Sequence, residues 1–254
     1  MPSLQQSIEE AFTSSTRKTG KYDSYFLAYA SALEQFLTKK KKNGEPIKLL
    51  EIGVMDGGSL EAWKKILGSK SKIYGLDLNP ECKQLSCNDY TVFVGDQGDP
   101  KVWQNLINHC GQFDIIIDDG SHIGFSQAKT IDFALMGAIG NEGIVIIEDT
   151  HTAYIDKFIG DGTGINFFDK VNDVIARMNS RSIRLMSDPN SRLSYIKDDD
   201  LARTSVENIM IFESIVSLKI KRGLSDSSKA GSEGSKIASQ TISHDARAKS
   251  KVYL

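Results

Sequence analysis

The chain has 254 residues, with 31 Lys and Arg against 33 Asp and Glu, which gives a formal net charge of −2. Its composition, with 40% hydrophobic residues, excludes a wholly disordered, collagenous or disulfide-scaffold protein. No apolar run approaches the ~18–20 residues of a membrane-spanning helix. The N-terminal stretch MPSLQQSIEEAFTSS lacks the regions of a secretory signal, and the three cysteines lack metal-ligand spacing. We therefore expect a cytoplasmic protein with reduced thiols and no membrane partner.

The charge is unevenly distributed along the chain. Residues 221–254 carry seven Lys or Arg and three Asp or Glu, a charge of +4, so residues 1–220 carry −6. The segment 221–254 is rich in serine and lysine and poor in bulky apolar residues, which predicts a disordered basic tail. The acidic body argues against nucleic acid as the ligand.

Two amphipathic helices are predicted at the N-terminus. Ser3 precedes a stripe of Leu4, Ile8 and Phe12, which predicts a first helix. A polar segment over 14–22 separates it from a second helix, where apolar and aromatic residues from Tyr25 to Leu37 recur at helical spacing. We interpret residues 1–45 as an N-terminal helical extension.

An alternation of strands and helices follows over residues 46–220. The predicted strands are 48–52, 73–77, 91–94, 113–118 and 143–148. The predicted helices between them are 60–67, 102–110 and 126–136, followed by a helix over 165–178 and two further strands, 183–186 and 209–219. Successive apolar positions, as in DIIID, are typical of strands that are covered on both faces. The pattern predicts one doubly wound α/β domain with a parallel sheet.

Acidic residues stand at or near the end of all five central strands. They are Glu51, Asp77, Asp96, the pair Asp118 and Asp119, and the pair Glu148 and Asp149. In doubly wound sheets ligands bind at the carboxyl ends of the strands. Turn formation explains one or two acids at such positions, but not several on one edge, where like charges repel.

The loop after the first strand has the features of a ligand-binding turn. Gly53 and Gly57 permit a tight turn before a helix that opens at Ser59. The spacing is not GxGxxG, which disfavours a nicotinamide dehydrogenase. Asp77 is placed to accept hydrogen bonds from a ribose diol, and Asp96 lies where an adenine would sit. The alternative for both aspartates is turn capping.

These motifs together resemble a known family. The ordered segments LLEIGVMDGGSLEAW, IYGLDLNP, FVGDQGD, FDIIIDDGSH and GIVIIEDTHTAY resemble the class I S-adenosylmethionine-dependent methyltransferases. More narrowly, DDGSH followed by ED resembles the metal-dependent O-methyltransferases that act on sugars of macrolide antibiotics, of the mycinamicin and macrocin type. Rhamnosyl O-methyltransferases and cephalosporin-hydroxylase-like proteins share this pattern. The resemblance implies a Rossmann-like methyltransferase sheet over residues 46–220.

The resemblance also implies roles for the strand-end residues. It implies cofactor contacts for Glu51, Gly53, Gly57, Ser59, Asp77, Asp96 and Asp118, the last of which either supports the site or contacts the cofactor amino group. Asp119, Glu148 and Asp149 would bind one Mg²⁺, and Mn²⁺ or Ca²⁺ would satisfy the same oxygen ligands. His122 would be the general base, with His151 as the alternative.

The chemistry leads to the same hypothesis. A sugar hydroxyl is a very weak acid, so methyl transfer to it needs a base and benefits from a cation bound to two vicinal oxygens. The predicted acceptor is a hydroxyl of a sugar or glycosylated natural product. A catechol-like diol acceptor and a non-catalytic cofactor-binding partner protein are the alternatives, and the relatives suggest a homo-oligomer.

Overall fold

The computed structural model describes residues 2–159, 164–182 and 190–226. The predicted strand 183–186 and the tail from residue 227 onward lie outside these ranges. Within them, the chain forms a seven-stranded sheet with helices on both faces. This confirms the predicted Rossmann-like α/β architecture.

The two N-terminal helices form as the apolar spacing predicts. Helix α1 spans Leu4–Thr13, and its N-terminus is closed by a capping box in which the Ser3 hydroxyl accepts from Gln6. Helix α2 spans Asp23–Lys42 and ends in four lysines, which complement the negative end of the helix dipole. Both helices bury apolar side chains in one hydrophobic cluster with the helix Gly58–Leu67 and one face of the sheet.

The remaining elements alternate along the chain. The strands are β1 (Lys48–Ile52), β2 (Lys72–Asp77), β3 (Tyr90–Val94), β4 (Phe113–Asp118), β5 (Ile139–Ile147), β6 (Val206–Phe212) and β7 (Ile215–Lys221). The helices are α3 (Gly58–Leu67), α4 (Pro100–Cys110), α5 (Gly124–Phe133), α6 (Phe167–Asn179) and α7 (Leu201–Ser205), with 3₁₀ turns at Pro80–Leu85, Thr150–Tyr154 and Asp156–Phe158. A π-helical turn, Ala134–Ala138, joins α5 to β5.

The sheet is mixed rather than wholly parallel. Its strand order is β3-β2-β1-β4-β5-β7-β6; the first five strands are parallel, and β7 is antiparallel to both β5 and β6. The single predicted strand 209–219 is wrong, because this stretch is a hairpin that turns at Glu213 and Ser214. Ser214 adopts a left-handed backbone with φ 62°. Positions with this conformation in hairpin turns are usually occupied by Gly or Asn, so the sequence contains no signal for this turn.

Two apolar layers cover the sheet. Helices α1, α2 and α3 pack on one face, around Trp63 and Tyr29, and helices α4, α5 and α6 pack on the other, around Trp103 and Phe167. Strand β4 is buried at Ile115, Ile116 and Ile117, as a central strand covered on both faces should be. Among the described residues, no helix is long and apolar enough to cross a membrane.

Candidate active site

The backbone ladder extends one residue beyond the ends of three neighbouring strands. Ile52 in β1 is in register with Leu76 in β2 and with Asp118 in β4, and Asp118 is in register with Ile147 in β5. The next residues continue the pattern, since the amides of Gly53, Asp119 and Glu148 donate to Leu76, Ile52 and Asp118 at 2.8–2.9 Å. The strand ends therefore fix the predicted cofactor glycine and two predicted metal ligands in one row.

Gly53 permits the closest backbone approach in the site. It has φ 86°, and a Cβ added there would lie 2.0 Å from the Asp119 carbonyl oxygen. No L-amino acid side chain fits this position without moving the Asp119 backbone. The loop after β1 and the loop after β4 approach each other so closely here that position 53 requires glycine, whatever ligand binds next to it.

A cavity of about 690 Å³ opens at this edge of the sheet, a size typical of small-molecule sites. Its lining includes six of the predicted site residues, namely Gly53, Ser59, Asp77, Asp119, His122 and Asp149. Glu51, Gly57, Asp96, Asp118 and Glu148 are not among the described residues that line it. A second cavity of about 370 Å³ shares Asp119 and Asp149 with the first, and Glu148 lines this one.

Asp77 organises the first loop. One of its carboxylate oxygens accepts from the amides of Val54 (2.7 Å) and Met55 (3.2 Å), and the other accepts from Asn79 at 2.8 Å. A carboxylate oxygen can accept more than one hydrogen bond, so Asp77 retains capacity for a ligand hydroxyl. Asp96, by contrast, accepts from the Gly98 amide in a local turn, as the turn-capping alternative predicts.

Asp118 is a buried anchor beneath the site. Its carboxylate accepts hydrogen bonds from Gln97 and Thr130, and from the Gly120 amide at 3.2 Å. Burial raises the pKa of this carboxyl. These partners hold the turn that follows β4, which is the supporting arrangement considered for Asp118 above.

Glu51 is fully buried behind the first loop. The Ser59 hydroxyl donates to its Oε2 at 2.7 Å, while its Oε1 has no hydrogen bond of normal geometry; the Trp63 indole N–H, likewise unpaired, acts on the same carboxyl and lowers its pKa. Burial raises the pKa of Glu51 to about 7, against an ordinary value of 4.5. A buried acceptor without a donor is costly, so this oxygen is available for a cationic ligand group.

Glu148 is held by two side chains from the N-terminal part of the chain. Its Oε2 lies 2.6 Å from the Lys21 ammonium, and its Oε1 accepts from the Tyr29 hydroxyl at 2.6 Å. The same ammonium lies 2.5 Å from Asp119 Oδ2. Burial raises the pKa of the Glu148 carboxyl, and the Lys21 ammonium acts in the opposite direction.

Asp149 and His122 are half-buried members of the acidic cluster. Asp149 Oδ2 lies 3.4 Å from His122 Nε2, and Asp149 Oδ1 accepts from the Tyr25 hydroxyl. The His122 carbonyl accepts from the Thr152 hydroxyl at 2.9 Å, whereas its Nδ1 is buried without a partner. His151, the alternative base, is paired with the hydroxyl of Ser214 in the β6–β7 turn.

Backbone strain is concentrated here. Among the described residues, four non-glycine positions have a left-handed backbone, at Met55, His122, Asp149 and Ser214. Three of these four line the larger cavity. Strained backbone persists where the surrounding structure enforces it and is concentrated at functional sites.

The cluster has the donor set of a hard divalent cation. One ligand atom each from Asp119, His122 and Asp149 lies within 4.8 Å of the others. The two carboxylates are oxygen donors of the kind that Mg²⁺ or Mn²⁺ takes, whereas the imidazole nitrogen of His122 is a softer donor and stays free to act as a base. The geometry thus groups His122 with two of the three predicted ligands, while both Glu148 oxygens already have partners from the chain itself.

The contacts of three residues with the acids of this site were not predicted from the sequence. Tyr25 and Tyr29 were expected to pack in the core; they do so, and their hydroxyls also contact the acids because a buried phenol needs a hydrogen-bond partner. Their spacing of four residues predicts that both lie on the same face of a helix, but it does not predict what their hydroxyls contact. Lys21 lies in a polar loop, and no pattern in the sequence marked it.

Comparison with known proteins agrees with the motifs. The chain is 35% identical over 150 residues to demethylmacrocin O-methyltransferase of Streptomyces fradiae, covering 56% of this chain and 34% of that protein. It is 31% identical over 183 residues to mycinamicin VI 2''-O-methyltransferase of Micromonospora griseorubida, covering 66% and 44%. This chain therefore aligns with between a third and a half of the length of these relatives. No protein-family model matches it.

Among solved structures, the chain is similar to the MycE methyltransferase of the mycinamycin pathway in complex with Mg, S-adenosylhomocysteine and mycinamycin VI. The TM-score is 0.67 at 22% identity, over 87% of this chain and 54% of that one. At this identity the likeness shows the fold. The chain thus has a Rossmann-like methyltransferase fold and is related in sequence to the O-methyltransferases of macrolide sugars, as its motifs predict.

Proposed function

We propose that the chain is an S-adenosylmethionine-dependent, Mg²⁺-dependent O-methyltransferase that acts on a hydroxyl of a sugar or glycosylated natural product. One observation carries the proposal: a cavity bounded by the glycine loop and Asp77 also contains Asp119, His122 and Asp149. A cofactor site and an acid–histidine cluster thereby share one space. The names of the relatives, which specify O-methylation of demethylmacrocin and of a 2'' oxygen of mycinamicin VI, support a hydroxylated natural product as the acceptor class.

The cavity residues are suited to the parts of the cofactor. The proposal assigns the ribose hydroxyls to Asp77 and the close backbone approach to Gly53 and Ser59. The partnerless Oε1 of Glu51 is assigned to the amino group of the methionine moiety. Gly57, which immediately precedes α3 and has φ 82°, shapes the loop, and Asp96 remains a proposed neighbour of the adenine. Asp118 supports the turn beneath them.

A divalent cation fits the acidic cluster on charge as well as on donor type. Lys21 supplies one positive charge beside the three acids Asp119, Glu148 and Asp149, so negative charge remains in a small volume whenever all three are ionised. We assign Asp119 and Asp149 as ligands, with Glu148 completing the acidic set as the resemblance implies. When bound, the cation supplies a charge that orients two vicinal acceptor oxygens and lowers the pKa of the one that reacts.

His122 is positioned to take the acceptor proton. In the proposed transfer the acceptor oxygen bonds to the methyl carbon as the carbon–sulfur bond breaks, with the bonding pair left on sulfur. The hydroxyl proton passes to His122 Nε2, and the Asp149 carboxylate at 3.4 Å stabilises the imidazolium that forms. The smaller cavity, lined by Tyr22 and Tyr25, is the proposed acceptor entrance.

Two alternatives stay distinct from this proposal. A catechol-like diol would use the same cation and base but a flat aromatic acceptor. A non-catalytic binding partner would use Glu51 and Asp77 and would have no need of His122 or of the acids around it. A cytoplasmic location and a homo-oligomeric state also stay predictions; light scattering that gives a monomer mass would contradict the second.

The test is calorimetric titration of S-adenosylmethionine into the purified chain, with Mg²⁺ and after chelation. We expect cofactor binding in both conditions, and a separate Mg²⁺ isotherm that Asp119→Asn abolishes. Methylation of sugar-bearing acceptors should then be lost in His122→Asn while cofactor binding is retained. Cofactor binding without any metal isotherm would overturn the metal-dependent mechanism, and no cofactor binding would overturn the proposed function.

A further inference from the structure

A buried ammonium group connects the N-terminal loop to the acidic cluster. The Lys21 side chain is 3% exposed, and its Nζ lies 2.5 Å from Asp119 Oδ2 and 2.6 Å from Glu148 Oε2. An ammonium buried without a partner is very costly, so the two carboxylates hold this side chain in place. Lys21 is two residues before helix α2, at the end of the loop over residues 14–22.

The other end of the same loop is fixed by a different carboxylate. Glu61 Oε2 on helix α3 accepts from the Ser15 and Thr16 hydroxyls at 3.1 and 2.8 Å. It also accepts from the amides of Thr16 and Arg17 at 3.0 and 3.3 Å. Residues 15–21, which we term the strap, are therefore held at both ends by buried or half-buried acids.

The middle of the strap forms part of the larger cavity. Lys18, Thr19 and Gly20 line it together with Asp77 and the first glycine loop. The strap also passes directly over the start of α3, because a Cβ at Gly58 would lie 2.5 Å from the Lys18 carbonyl oxygen. Only a glycine at position 58 lets the strap lie this close to the loop assigned to the cofactor.

We propose that Lys21 is a positioning residue whose ammonium ties the strap to Asp119 and Glu148, so that one side chain holds both a wall of the cofactor cavity and two acids of the metal cluster. The inference rests on the proposed function for the identity of the ligand. It extends that function, because it makes cofactor affinity depend on a residue assigned no contact with the cofactor. Lys21 contacts Asp119 and Glu148, whereas Asp149 and His122 contact each other.

The experiment compares Lys21→Met with the unaltered chain, both without metal. Trypsin can cleave the strap after Arg17 and Lys18, and mass spectrometry identifies these sites. We expect cleavage there to become about tenfold faster, which corresponds to about 1.4 kcal/mol less free energy of local opening. S-adenosylhomocysteine should bind about tenfold more weakly by calorimetry in the presence of a chelator.

Two variants make the comparison specific. Lys21→Arg keeps the charge and should restore most of the protection. Lys170→Met removes an ion pair with Asp132 away from the site and should leave both readouts unchanged. If Lys21→Met does not fold, Asp119→Asn weakens the same tie: faster cleavage after Arg17 and Lys18 supports the proposal, and an unchanged rate overturns it.

The outcomes separate the tie from the proposed function. A folded Lys21→Met variant with unaltered cleavage and unaltered affinity overturns the inference. The protease readout needs no cofactor, so faster cleavage would support the tie even if S-adenosylhomocysteine failed to bind the unaltered chain. That failure would count against the proposed function alone.

Discussion

Replacing Glu51 by Gln should make the unliganded protein more stable at alkaline pH. Glu51 is fully buried, and burial raises the pKa of its carboxyl to about 7 from the ordinary 4.5. The substitution keeps the size of the side chain and an acceptor for the Ser59 hydroxyl, which donates at 2.7 Å. It removes the ability to become charged in a buried position, where the attraction of Lys21 offsets only part of the cost of burial.

The pKa fixes both the sign and the size of the effect. A carboxyl whose pKa is higher in the folded than in the unfolded state stabilises the fold fully below pH 4.5. That contribution is lost as the pH rises through about 7. At ~1.4 kcal/mol per pH unit, the difference between the two values corresponds to about 3 kcal/mol, most of it lost between pH 5 and pH 8. Glu51→Gln carries no such loss.

The measurement is urea unfolding of the cofactor-free chain at several pH values from 5 to 8, with Glu51→Gln run in parallel. Glu148 contributes in both proteins, so the difference between the two curves isolates Glu51. Glu45→Gln is the matched control, since Glu45 is at the surface and hydrogen bonds from Lys40 and Asn43 lower its pKa, which leaves it ionised across this range. Its curve should run parallel to that of the unaltered chain.

The free-energy difference between Glu51→Gln and the unaltered chain should grow by about 2 kcal/mol from pH 5 to pH 8. Curves that stay parallel would refute the assignment of a charged, buried Glu51. The same variant should lose at least tenfold in affinity for S-adenosylmethionine, because a neutral amide replaces the partner assigned to the cofactor amino group. A gain in stability together with that loss of affinity is the signature of a site that gives up stability for binding.

Three further predictions test other parts of the site. Gly53→Ala should lower the unfolding midpoint and weaken S-adenosylhomocysteine binding at least tenfold by calorimetry, because its Cβ would overlap the Asp119 carbonyl; Gly44→Ala, also left-handed but with nothing within 4 Å, should show the backbone strain alone. Tyr29→Phe should cost about 1–3 kcal/mol in urea unfolding, since Glu148 Oε1 loses its donor; no change would place that oxygen in contact with water. Mn²⁺ should raise the thermal midpoint of the unaltered chain and not that of Asp149→Asn, and an equal rise in both would exclude Asp149 as a ligand.

The sequence was sufficient to predict the sheet edge because parallel strands bring their carboxyl ends together. Continuous apolar runs marked β1 and β4 at their observed bounds, and β2 and β3 to within one residue. The row of Gly53, Asp119 and Glu148 follows from strand ends alone. The β6–β7 hairpin was missed because its turn uses Ser214 with a left-handed backbone, and neither Gly nor Asn stands there to signal it.

The side-chain partners of the acids were not predictable in the same way. Lys21 meets Asp119 and Glu148 across about a hundred positions or more of sequence, and no spacing rule relates residues so far apart. Burial, rather than spacing in the sequence, determines which side chains pair with these acids. Glu148 and Glu51 are completely buried, so each requires a donor or a counter-charge from whichever element packs over it.

The need of the buried acids for donors explains why side chains of the N-terminal extension form part of the site. Tyr25 and Tyr29 lie one turn apart on the buried face of helix α2, and Lys21 lies in the loop two residues before that helix. Each of the three contacts the Glu148–Asp149 pair through a hydroxyl or an ammonium group. An apolar helix at this place would leave Glu148 buried without donors and raise the pKa of its carboxyl further. The extension therefore keeps a charged cluster stable inside the fold, and a charged cluster is what the proposed metal and base chemistry needs.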